Sequence, residues 1–84
     1  MYTKLPAITG DQLIGLLQHD GWIAVRQTTH GISLYKGFGD IKKLTLVRKG
    51  NEPIASGTLG AILGPKQTGS GKKGLLQLLN TYGL

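Results

Sequence analysis

The chain predicts an α+β domain in which a helix, three short antiparallel strands and two more helices follow in order. Leucines recur at helical spacing in residues 10–19, residues 22–48 alternate with a period of two between tight polar links, and apolar helical stripes return after Pro53. So few helices cannot cover both faces of a sheet, so one face is expected to stay open.

Thr9, with Gln12 three positions on, has the form of a capping box, and Leu13, Leu16 and Leu17 then share a helical face. The first helix is therefore placed at residues 10–19, with Gly15 costing it about 1 kcal/mol relative to alanine and Gly21 suited to the exit. Trp22 to Thr28 reads as the first strand, Ile23 and Val25 alternating with Ala24 and Arg26, and Trp22 as a core anchor at the corner. The second strand is placed at Ile32–Lys36, with Ile32 and Leu34 on the core side and Ser33 and Tyr35 on the open one. Gly37-Phe38-Gly39-Asp40 has turn composition, and the third strand is placed at Ile41–Arg48. There Lys42, Leu44, Leu46 and Arg48 share one parity, and Lys43 and Thr45 take the other. Ser56 is the expected cap of a helix carrying Leu59, Ile62 and Leu63. Residues 64–71, containing Pro65 and three glycines, are expected to form a flexible loop before a last helix with Leu75, Leu78, Leu79 and Tyr82 in its core stripe.

At 84 residues this is the length of one domain, 1–84, with no internal repeat. Without cysteine it has no disulfide and no thiolate metal site, so packing alone must hold it together. No apolar run approaches the about 20 residues that span a bilayer, and Met1–Pro6 lacks a signal-peptide core, so a soluble cytoplasmic protein is expected. Ten Lys and Arg against four Asp and Glu leave a formal charge of +6. The excess clusters in Lys36, Lys42, Lys43, Arg48 and Lys49 and again in Lys66, Lys72 and Lys73. Clustered cations suit a polyanion, because each phosphate neutralised releases condensed counterions; a solubilising surface is the other reading.

The stretch Gly21–His30 brings a strand to a histidine with Arg26 close upstream. A neutral imidazole exchanges a proton near pH 7, and a guanidinium holds phosphate in a planar fork. Other chemistries find no footing. The carboxylates Asp11, Asp20, Asp40 and Glu52 form no pair, two distant histidines have no metal-ligand spacing, and no Ser-His-Asp arrangement emerges. Residues 66–73 resemble a nucleotide-binding P-loop only superficially, since Lys66 occupies the place of the first glycine and Lys73 that of the Ser or Thr.

Gly21-Trp22, Val25-Arg26-Gln27 and His30, followed by Ile54-Ala-Ser-Gly57-Thr58-Leu59-Gly-Ala-Ile62-Leu63, make residues 10–63 resemble the HicA family of mRNA interferase toxins. The resemblance implies a double-stranded-RNA-binding-like α-β-β-β-α fold, here with an additional C-terminal helix. It also implies endonuclease activity on mRNA, a HicB-like antitoxin as partner, and His30 in the place of the family's catalytic histidine. The chain differs from that pattern in having Thr28-Thr29 before the histidine and in running on through residues 64–84.

RNA carries its own nucleophile, so on this reading His30 acts as base or acid without metal or cofactor. Arg26, with one or more of Lys36, Lys42 and Lys43, would stabilise charge on the phosphate. The expected products are a 2′,3′-cyclic phosphate and a 5′-hydroxyl. The alternative from the same residues is a non-catalytic RNA-binding module in which His30 touches phosphate or merely closes a turn. Simple alternation puts His30 on the face of Ile32 and Leu34, so presenting it to RNA requires a bend or bulge, expected at Gly31.

Overall fold

Thr9 caps α1 (Gly10–His19) through the reciprocal pair expected of it. Its hydroxyl accepts from the Gln12 N–H at 3.2 Å, and Gln12 Oε1 accepts from the Thr9 N–H at 3.0 Å. This is the start of a chain that the computed structural model describes over residues 2–83. The helix buries Leu13, Ile14, Leu16 and Leu17, and the chain then turns at Trp22, which is buried as an anchor and meets the Phe38 ring edge-on at 6.2 Å.

Three antiparallel strands follow in the order β1-β2-β3: β1 (Ile23–Thr28), β2 (Gly31–Phe38) and β3 (Ile41–Val47). The middle strand is longer at both ends than its alternation suggests, because Gly37 and Phe38 pair with Lys42 and Ile41 and leave only Gly39-Asp40 as the turn. Leu34, Thr45 and Val47 are buried on the face that carries the helices, with Ile32 half-buried beside them. Burial of Thr45 is tolerated because its hydroxyl donates to Gln67 Oε1 at 2.6 Å.

The strand register contains one slip. Ala24 pairs with Leu34 and Arg26 with Ser33, so Val25 is an extra residue in β1. The bulge transfers Arg26 from the parity of Ala24 to that of Ser33, Tyr35 and Leu46, the face without helices. A bulge was expected at Gly31 for the sake of His30; it lies instead at Val25 and redirects Arg26.

Two further helices complete the helical layer, α2 (Ser56–Leu63) and α3 (Gly71–Tyr82). Ser56 does not cap α2: it is the first helical residue, and Ala55 holds the cap position without a side-chain cap hydrogen bond. The segment between these helices is folded onto the core rather than loose. Thr68 is buried, its hydroxyl and its N–H both donating to the Ile62 carbonyl at 3.0 Å. Leu75 and Leu79 of α3 are wholly buried, and Asn80 clamps the N-terminal segment by accepting from the Tyr2 N–H and donating to the Tyr2 carbonyl. The last helix is thus part of the core and not an appendage. Among the described residues no helix is long and apolar enough to cross a membrane.

Candidate nucleic-acid interface

His30 occupies the second position of the two-residue turn that joins β1 to β2 and is exposed. Its backbone is set by Thr28, whose hydroxyl accepts from the His30 N–H at 3.1 Å and donates to the Gly31 carbonyl at 3.3 Å. A threonine side chain here substitutes for backbone hydrogen bonding and stiffens the turn. Because His30 lies outside the strand, alternation with Ile32 and Leu34 does not apply, and the expected clash with the core disappears.

The four predicted cations are divided between the two faces of the sheet. Arg26 and Lys42 lie on the open face, Arg26 in the row of Ser33 and Leu46, Lys42 opposite Gly37. Lys36 and Lys43 oppose each other on the helical face. Both reach the Phe38 ring, with Nζ atoms 5.3 and 5.5 Å from its centroid. Lys36 is further engaged by Asp20, donating to its carbonyl at 2.5 Å and lying 3.3 Å from its carboxylate.

Length along the strand separates these groups as well. Gly31 and Gly37 are six residues apart in β2, so Lys42 stands about 20 Å along the sheet from the His30 turn at roughly 3.3 Å per residue. Of the predicted cations, only Arg26 is both on the open face and near that turn. Between them the open face shows Ile23 (59% exposed), Leu44 (59%) and Leu46 (48%), with Tyr35 half-buried among them. Aliphatic side chains predominate there, and aromatic platforms for stacking bases are confined to Tyr35.

A second feature adjoins the turn. The antiparallel register that pairs Ile32 with Val47 brings Arg48 opposite Gly31. Gly31 is buried with φ +150°, and a methyl group on it would stand 2.9 Å from the Arg48 Cα. From the other side Gly10 lies against the Arg48 carbonyl, again with no room for a side chain. Arg48 and Lys49, both exposed, then line a cleft of about 640 Å³ that continues past Asn51 and Glu52 to Ala55 and Thr58 at the start of α2. The loop forming this cleft is tied down along its length. Asp11 Oδ1 accepts from the Gly50 N–H, the Asp11 N–H donates to the Gly50 carbonyl, Thr9 bridges to Pro53, and the Ile54 N–H donates to the Ile8 carbonyl at 2.8 Å. By sequence Arg48 ends the third strand and Lys49 adds only charge; pairing residues 31–38 with 41–48 in an antiparallel hairpin is the sign that position 48 returns to the histidine turn.

His19 is committed elsewhere, stacking on the Tyr82 ring at 4.5 Å between centroids and 14° between planes. Among the described residues no group of three or more His, Asp or Glu side chains gathers around a point suited to one ion. Comparison with protein-family models, with curated proteins and with solved structures returns no match to this chain.

Proposed function

We propose that the chain is a HicA-type endoribonuclease with a double-stranded-RNA-binding-like fold, cutting mRNA in the cytoplasm without a metal or cofactor and restrained by a HicB-like antitoxin. Support for the fold assignment is the order α1-β1-β2-β3-α2 around a three-stranded antiparallel sheet, to which α3 adds a third helix. The single observation that carries the activity is an exposed histidine held at a stiffened turn, with Arg26 brought to the neighbouring open face by the bulge at Val25.

In the proposed reaction the His30 imidazole accepts the proton of the 2′-hydroxyl, or protonates the departing 5′-oxygen. The 2′-oxygen bonds to phosphorus, the bond from phosphorus to the 5′-oxygen breaks, and the proton lost at the one oxygen is balanced by that gained at the other. Arg26 supplies positive charge where the phosphate gathers negative charge. The test is cleavage of mRNA by the parent protein and by His30→Ala, with end-group analysis. Expected are a 2′,3′-cyclic phosphate and a 5′-hydroxyl from the parent, and a loss of about 10²- to 10⁴-fold in the variant. A 5′-phosphate product, or equal cleavage by the variant, overturns the proposal.

A second reading is favoured by the position of Lys36, Lys42 and Lys43 at the far end of the sheet from His30: a non-catalytic RNA-binding module. It predicts RNA binding by parent and His30→Ala alike, with no cleavage by either.

A further inference from the structure

We propose that the cleft between β3 and α2 is where the RNA backbone is held, with Arg48 and Lys49 as its phosphate ligands in place of the lysines at the other end of the sheet. The inference rests on the reading of this chain as an RNA-acting protein and specifies which surface of it takes the substrate.

Proximity comes first. Arg48 is the residue that faces Gly31, the immediate neighbour of His30, and it is also the residue at which the cleft begins. A nucleotide whose ribose lies at the histidine turn can therefore place an adjoining phosphate at Arg48, whereas Lys42 is about 20 Å away at roughly 3.3 Å per strand residue.

Rigidity is the second ground. The Arg48 backbone is gripped between Gly31 and Gly10, and the residues after it are hydrogen-bonded to Asp11, Thr9 and Ile8. A loop fastened in this way presents its side chains from a fixed origin, which lowers the ordering cost of binding. Its long charged side chains nevertheless remain exposed, and among the described residues no carboxylate lies within ion-pair distance of Arg48.

Chemistry is the third. A guanidinium and an ammonium on adjacent residues, with Asn51 and Thr58 as neutral hydrogen-bonding groups, suit a chain of phosphates and hydroxyls. The open sheet face carries Arg26 and Lys42 at its two ends, but between them it offers aliphatic side chains, which gain nothing from a charged backbone. Glu52 also lines the cleft, and its carboxylate opposes an anion there; removing that charge is accordingly predicted to tighten binding.

The experiment measures binding of a short single-stranded, 2′-O-methylated oligoribonucleotide, which cannot be cleaved, over a range of salt concentrations. The proteins are the full chain and its Arg48→Ala, Lys49→Ala, Arg48→Lys, Glu52→Gln and Lys42→Ala variants, each checked for an unchanged melting temperature. Expected is a loss of about 5- to 10-fold for each cleft cation, with the log–log salt slope falling by about 0.7 per charge removed. Arg48→Lys keeps that slope, Glu52→Gln binds about 2- to 3-fold tighter, and Lys42→Ala stays within about 2-fold of the parent. Parent-like affinity for both Arg48→Ala and Lys49→Ala, or a larger loss for Lys42→Ala, overturns the inference and moves the backbone path to the open face. The two proposals fail separately. Dependence on Arg48 and Lys49 with no cleavage by the parent leaves the cleft standing and removes the nuclease, whereas cleavage that requires His30 but ignores both cations does the reverse. A parent protein that binds no RNA overturns both.

Discussion

Lys36 closes the end of α1: its ammonium donates to the Asp20 carbonyl at 2.5 Å and lies 3.3 Å from the Asp20 carboxylate. A cation at a helix C-terminus meets the negative end of the helix dipole, and here its stem also lies beside Gly21, next to the corner at which Trp22 enters the core. Lys36→Ala is therefore expected to cost about 1 kcal/mol of folding stability in urea melts. RNA affinity should change little, since this ammonium is already occupied. A variant with parental stability and much weaker RNA binding would reverse the assignment.

Gly31 cannot be replaced without moving the strand beside it. Its φ of +150° disfavours any side chain, and an added methyl would press on the Val47 carbonyl oxygen and the Arg48 Cα. Gly31→Ala should lower stability by about 2 kcal/mol or more and shift the amide resonances of residues 30–32 and 47–49 together. A variant as stable as the parent, with those resonances unmoved, would show that the two segments are not in contact.

Thr28 is expected to act on His30 through the turn and not on substrate. Thr28→Val keeps the shape but deletes the hydroxyl that accepts from the His30 N–H and donates to the Gly31 carbonyl, at a cost of about 1 kcal/mol. Any cleavage activity should fall with it through kcat more than through KM, and Thr28→Ser should restore it. Loss of activity in the serine variant as well would remove this role from the hydroxyl.

Leu75 tests whether α3 belongs to the fold. It has no exposed surface and sits in the same buried cluster as Leu13, Leu17 and Leu34. Leu75→Ala should cost about 2–5 kcal/mol, comparable to Leu34→Ala, whereas Tyr82→Ala at the exposed end of the helix should cost far less. Chemical denaturation of the three variants decides between an integral helix and a detachable tail.

Much of this architecture can be read from residue spacing. The Thr9–Gln12 box, the leucines behind it and the two-residue period of Ile32 to Tyr35 specify α1 and the core side of β2, because periodicity and capping are local properties. The same local reasoning failed at Ser56, which has cap chemistry but sits inside α2, and over residues 64–70, where glycines and a proline suggested looseness. Specific hydrogen bonds outweighed composition there: Thr68 bonds back to Ile62 at the end of α2, and Gln67 accepts from Thr45 across the chain in β3.

For the candidate site the divide is sharper. Composition and order of residues specified a basic α+β chain with one uncovered sheet face and a histidine after the first strand, since these follow from charge, period and turn chemistry within a few residues. Exposure of that histidine was decided by the fold: alternation assigned it to the core side, and the two-residue turn holds it outside the strand. Which cations stand near that histidine depended on register. One extra residue at Val25 turned Arg26 to the open face, the pairing of β2 with β3 carried Lys42 to the far end and brought Arg48 alongside Gly31, and helix packing drew Lys36 and Lys43 beneath the sheet. Strand pairing joins residues far apart in the chain, and a slip of one position exchanges the two faces, so this arrangement emerges only when the whole chain is folded.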